Sequence, residues 1–95
     1  MIDVSIIIVN YNTKKLTLDC LSSIKRQTNN IEYEIIVVDN NSNDGSQEAI
    51  SKEYPEITLI INKANNGFGK ANNQGIKIAK GKYIFFAKFR YDSFK

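Results

Sequence analysis

The sequence predicts an α/β fold, β-α-β-α-β-α-β, with a mainly parallel sheet between helical layers. Three observations carry that reading. Short apolar, β-branched runs such as Ile6 to Val9 and Ile35 to Val38 have the length and character of strands covered on both faces. The segments between them place apolar residues at helical spacing. Clusters of Asn, Gly and Asp punctuate the changes from one pattern to the next.

The elements follow in order. Val4 to Asn10 reads as the first strand, broken by Asn-Tyr-Asn-Thr. From Thr13 to about Gln27, Leu16, Cys20, Leu21 and Ile24 recur on one helical face, with Thr13 as the expected N-cap. Asn29-Asn30 marks a turn, and Tyr33 to Val38 is the second strand. A polar loop, Asp39 to Ser46, leads into a short helix from Gly45 to about Lys52, where Asp44 and Gln47 have the spacing of a capping box. Pro55 ends that helix, and Ile57 to Ile61 forms the third strand. After a glycine loop, a third helix is expected to turn Ala71, Gly75, Ile78 and Ala79 to the sheet, with Gly81 as its C-cap glycine. Lys82 to Phe86 is the fourth strand. The sum is a three-layer, Rossmann-like arrangement with right-handed crossovers.

Ligands of such sheets gather at the carboxyl ends of the strands. Those ends are Asn10–Asn12, Asp39–Asn43, Asn62–Gly67 and Ala87–Arg90, so the polar clusters fall on one edge. The stretch Asn65 to Gly75 adds glycines that open a helix and amide side chains on its first turns, which suits a diphosphate.

Composition narrows the chemistry. Ninety-five residues make one domain, spanning 1–95. The chain has no His, so the commonest general base and His-bearing triads are excluded, and its single Cys20 has no partner for a disulfide or metal site. No apolar run approaches the ~20 residues of a membrane span, and the N-terminus lacks a secretory pattern, so a cytoplasmic location is expected. Charge is uneven: residues 1–56 carry five Lys/Arg against nine Asp/Glu, and residues 57–95 carry eight against one. The basic half suits either a solvated face or a polyanion, but no nucleic-acid motif or aromatic stacking platform accompanies it.

The strand Val4-Ser5-Ile6-Ile7-Ile8-Val9-Asn10-Tyr11-Asn12 resembles the opening of inverting family 2 glycosyltransferases with the GT-A fold. Glu34 to Ser46 is similar to that family's second strand and loop. Asn65-Asn66-Gly67-Phe68-Gly69 with Ala71-Asn72-Asn73-Gln74-Gly75 resembles its third block, especially in rhamnosyltransferase-like members. Gly81 to Phe86 resembles the strand that delivers the metal motif.

The resemblance implies a nucleotide-diphosphosugar donor, a divalent Mg²⁺ or Mn²⁺ ion, and sugar transfer to an acceptor. It also implies the sheet order 3-2-1-4. Tyr11 and Asn12 would lie beside the base, and Asp39 would accept from the imide N–H of uracil or thymine, favouring UDP or dTDP. Asn41, Gly67, Phe68, Gly69 and Asn72 complete the expected nucleotide contacts. Simpler roles stand beside these: Asp39 as a loop cap, Tyr11 as a half-buried aromatic, Gly67 and Gly69 as turn residues, Asn73 as a backbone partner. Asp44 reads as a helix cap.

One departure matters. The family places acids that hold the metal directly after the fourth strand, where this sequence has Ala87, Lys88, Phe89 and Arg90. Lys and Arg repel a cation, and Asp92 comes a few residues too late. The expectation is therefore a GT-A domain truncated after its fourth strand, without metal ligands or catalytic base, binding donor without independent turnover. The alternative is a non-enzymatic, homo-oligomeric or partner-binding module. An apolar edge strand from Tyr83 to Phe89 predicts a homodimer.

Overall fold

The computed structural model describes residues 1–87. It contains β1 (Val4–Asn10), α1 (Lys14–Gln27), β2 (Tyr33–Asp39), α2 (Ser46–Glu53), β3 (Thr58–Ile61), α3 (Phe68–Ile78) and β4 (Tyr83–Ala87). All strand pairings are parallel, and the sheet order is β3-β2-β1-β4. The expected class and strand order are both present.

The register explains why the strands are apolar throughout. Side chains alternate between the faces of a strand, and both faces here are covered by helices. Ile6, Ile8, Ile35 and Val37 pack with Leu21 of α1 and Ile50 of α2. Ile7, Ile36 and Val38 turn the other way and pack with Ala71 of α3. A Cβ on Gly75 would lie 2.8 Å from Ile7 Cγ2, so glycine lets α3 sit close to the sheet.

Three local expectations are corrected. Ile78, the last residue of α3, is 42% exposed and does not join the core, whereas Ala79 packs against Ile7, Ile36 and Val38 as expected. The C-cap is Ala79, and Gly81 lies beyond it. Gly81 is required for a different reason: a Cβ there would stand 2.5 Å from the Ser5 backbone nitrogen. This close approach lets Gly81 N–H donate to Ser5 Oγ at 2.8 Å, while Ser5 Oγ donates to Glu34 Oε2 at 2.6 Å.

The helix starts differ as well. Thr13 is the N-cap residue of α1, as expected, but its side chain makes no capping bond; its hydroxyl donates to Asn10 Oδ1 instead. Asp44 accepts from the Lys14 N–H at 3.0 Å and so serves the start of α1 from the neighbouring loop. Asp44 and Gln47 form no capping box. Asp44 accepts from the N–H and hydroxyl of Ser46, and Gln47 turns to Asp39. The N-cap of α2 is Gly45, in the left-handed region at φ 85°.

Candidate functional site

The β1–α1 and β2–α2 loops start side by side, because Asn10 and Asp39 are register partners at the ends of β1 and β2. Asp39 is fully buried. Its Oδ1 accepts from Asn10 Nδ2 at 2.6 Å, and its Oδ2 accepts from Ser42 N–H at 2.8 Å and Gln47 Nε2 at 2.7 Å. A buried carboxylate needs such donors, since an unmatched charge away from water is costly.

Asn10 is locked in turn. Its Nδ2 also donates to Ser42 Oγ at 3.1 Å, and its Oδ1 accepts from Thr13 Oγ1 at 2.8 Å and Thr17 Oγ1 at 2.7 Å. Asn12 joins the two loops from the outside. Its N–H donates to Ser42 Oγ, and its Oδ1 accepts from Asn43 N–H, both at 2.9 Å. Asn12 and Asn41 hold left-handed backbones at φ 53° and 72°, which Asn tolerates better than most side chains. Asp44 sits just behind. Burial pushes its carboxyl up, but the hydrogen bonds from Ser46 and Lys14 prevail and hold it below the usual carboxylate range.

Tyr11 lies between Asn10 and Asn12, with 46% of its surface exposed. A large aromatic left half in water at the end of a buried strand is accessible to a ligand.

The third loop is tied to the same edge through amides. Asn40, almost wholly buried, donates to the Gly67 carbonyl at 3.2 Å and accepts from Asn62 Nδ2 at 3.0 Å. Asn62 and Gln74 exchange two bonds of 2.8 Å. Gly67, at φ 92° and ψ 164°, uses a backbone conformation that is essentially glycine's alone. Gly69 is different: a Cβ there meets nothing within 4 Å, and its φ is not positive. Phe68 is 46% exposed and Asn72 is half-buried on the same helix.

The structure thus gathers Tyr11, Asn12, Asp39 and Asn41 on two adjoining loops and tethers Gly67 to them through Asn40. Phe68, Gly69 and Asn72 follow on α3. Asn10, Asn40, Ser42, Gln47, Asn62 and Gln74 form the frame, and the sequence reading gave none of them that role. Their one sequence signal is position, since each lies at or just after the carboxyl end of a strand or in the first turns of the following helix. Among the described residues no group of three His, Cys, Asp or Glu is placed to hold a metal ion, and Ala87 offers no donor side chain. These residues do not fit Mg²⁺ or Mn²⁺; Lys88, Phe89, Arg90 and Asp92 lie outside the described residues.

Comparison with known proteins places the chain in a family. The chain is 42% identical over 88 residues to the poly(ribitol-phosphate) beta-glucosyltransferase of Bacillus spizizenii, covering 87% of this chain and 14% of that protein. Among solved structures, S. aureus TarS 1-349 in complex with UDP superposes with a TM-score of 0.77 at 27% identity, over 90% of this chain and 27% of that one. The same TarS fragment in complex with UDP-GlcNAc gives 0.78 at 29% identity, over 90% and 26%. The mannosyltransferase PcManGT from Pyrobaculum calidifontis, in complex with GDP-Man and Mn2+, gives 0.72 at 26% identity, over 85% and 25%. The chain therefore spans about a quarter or less of the length of these relatives. The family model described as Glycosyl transferase family 2 matches residues 5–87. The chain belongs to glycosyl transferase family 2, and its 3-2-1-4 sheet is that of a GT-A glycosyltransferase.

Proposed function

We propose that this chain binds the nucleotide of a nucleotide-diphosphosugar donor, UDP or dTDP, for glycosyl transfer to an acceptor. The observation that carries the reading is the pairing of half-exposed Tyr11 with buried Asp39 at neighbouring strand ends. An aromatic face stacks on a base, and a carboxylate accepts from a pyrimidine imide. Cytosine presents no N–H at that position, so CDP is a poor match. Gly69 supports the same site, since nothing within the described chain requires a glycine there. The TarS complexes with UDP and UDP-GlcNAc support a uracil nucleotide, while the GDP-Man complex makes GDP the competitor to test. The Gly67-Phe68-Gly69 block keeps a rhamnosyl donor within the proposal.

We further infer that this segment holds donor without turning it over by itself, in the cytoplasm. No helix among the described residues is long and apolar enough to cross a membrane. The test is titration with UDP, dTDP, GDP and CDP, with and without Mn²⁺, followed by backbone amide shifts. Shifts at Tyr11, Gly67 and Gly69 with UDP and dTDP, independent of Mn²⁺, are expected. Silence with all four nucleotides refutes the donor reading.

A second reading, a self-associating module without catalysis, is favoured by one observation. β4 pairs only with β1 among the described strands, and Tyr83 and Phe85 are 66% and 60% exposed.

A further inference from the structure

The carboxylate assigned to the base is closed. Asp39 has no exposed surface, and three donors surround its oxygens. An imide N–H reaches such a group only if one neighbour moves.

The three donors differ in what their departure breaks. Ser42 N–H is main chain, in a loop whose hydroxyl is already engaged by Asn10 and Asn12. Asn10 is buried and makes four side-chain bonds, so moving it undoes the start of α1 as well. Gln47 is half-buried, in the first turn of α2. Its amide donates to Asp39 at 2.7 Å and to the Ser42 carbonyl at 3.3 Å. Its long side chain can swing aside with every backbone bond intact.

We propose that Gln47 is a latch on the nucleotide site: its amide satisfies Asp39 in the empty protein and gives way to the base N–H on binding. The proposal rests on the reading of Asp39 as base acceptor. The exchange swaps one N–H···O bond for another of the same kind, so the carboxylate is never left buried and unmatched. Gln47 is thus a positioning residue that competes with the ligand, and its removal tightens binding. A merely structural Gln47 gives the opposite sign, since losing it would loosen Asp39 and weaken binding.

The experiment titrates the 95-residue chain and its Gln47→Met variant with UDP, following amide resonances. Gln47→Met keeps side-chain length and loses the donor. It is expected to bind UDP about threefold to tenfold more tightly than wild type. In the wild type, the Gln47 side-chain amide pair is expected to move, at UDP saturation, to the position of an exposed glutamine. A folded Gln47→Met that binds UDP equally or more weakly overturns the latch and leaves the nucleotide site standing. So does a wild-type amide pair that stays in place in the complex; this measurement decides alone if the variant fails to fold. Failure of both proteins to bind UDP overturns the donor reading and the latch together.

Discussion

Two glycines separate folding from binding at the scale of single residues. Gly81 packs against the Ser5 backbone, and a methyl group there has no room. Gly81→Ala is expected to lower unfolding free energy by about 1–3 kcal/mol, read by urea denaturation, through displacement of the start of β4. Gly69 faces open space without backbone strain. Gly69→Ala is expected to leave stability unchanged or raise it by up to ~1 kcal/mol, as alanine favours helix. The same variant is expected to weaken UDP on the order of tenfold, about one lost contact. Equal UDP affinity in Gly69→Ala and wild type would remove Gly69 from the site. Asp39 stood out in the sequence as an acid ending a buried strand, while its role toward a base came from the resemblance. Its partners were not: Asn10 lies 29 positions away in sequence, and Gln47 fitted a capping pattern. Gly81 was legible as a special position but assigned the wrong cause, because spacing along the chain does not reveal the backbone across from it.

Elements begin and end where neighbouring loops allow. Lys14 N–H, at the first residue of α1, is served by Asp44 from the β2–α2 loop, which also holds Ser46 at the head of α2. One carboxylate therefore secures two helix starts. Asp44→Ala is expected to cost about 1 kcal/mol at neutral pH, as lost caps do. The pH dependence has a definite sign. The folded-state pKa of Asp44 is lowered, so its stabilisation is present above the unfolded carboxylate pKa and is lost as pH falls through the folded value. Urea midpoints of wild type and Asp44→Ala are expected to converge on acidification; a constant gap down to that range contradicts the assignment. Glu56 is shifted downward by its bond to Lys25 and acts with the same sign, but that pair is exposed and screened. All seven elements were legible, six of them with bounds within a residue or two; α2 was read from a capping spacing that the structure does not form, and α3 was placed without bounds. The bond from Lys14 to Asp44 was not legible, because it joins loops 30 positions apart in sequence.

At the level of the molecule, the sheet leaves its fourth strand half covered. Tyr83, Ile84, Phe85 and Phe86 are each 39% exposed or more. The self-association reading predicts a dimer in sedimentation at high micromolar concentration, and Phe85→Lys is expected to shift it to monomer. A monomeric wild type contradicts this reading; the rest of the expected interface, through Phe89, lies outside the described residues. Hydrophobic patterning made the parallel sheet legible but not its order, since alternation of strand and helix fixes no neighbours. The order 3-2-1-4 came from the resemblance. That order places β1 between a partner some 29 positions downstream and another some 79 positions downstream, as the pairs Val4↔Tyr33 and Val4↔Tyr83 show. Closing the longer loop is entropically dearer and slower. During synthesis, β1, β2 and β3 with their helices exist well before β4 is made, and until then one side of β1 stands unpaired. The last described strand is thus the timekeeper of this sheet: it can cover the open side of β1 only after the three strands before it have been made.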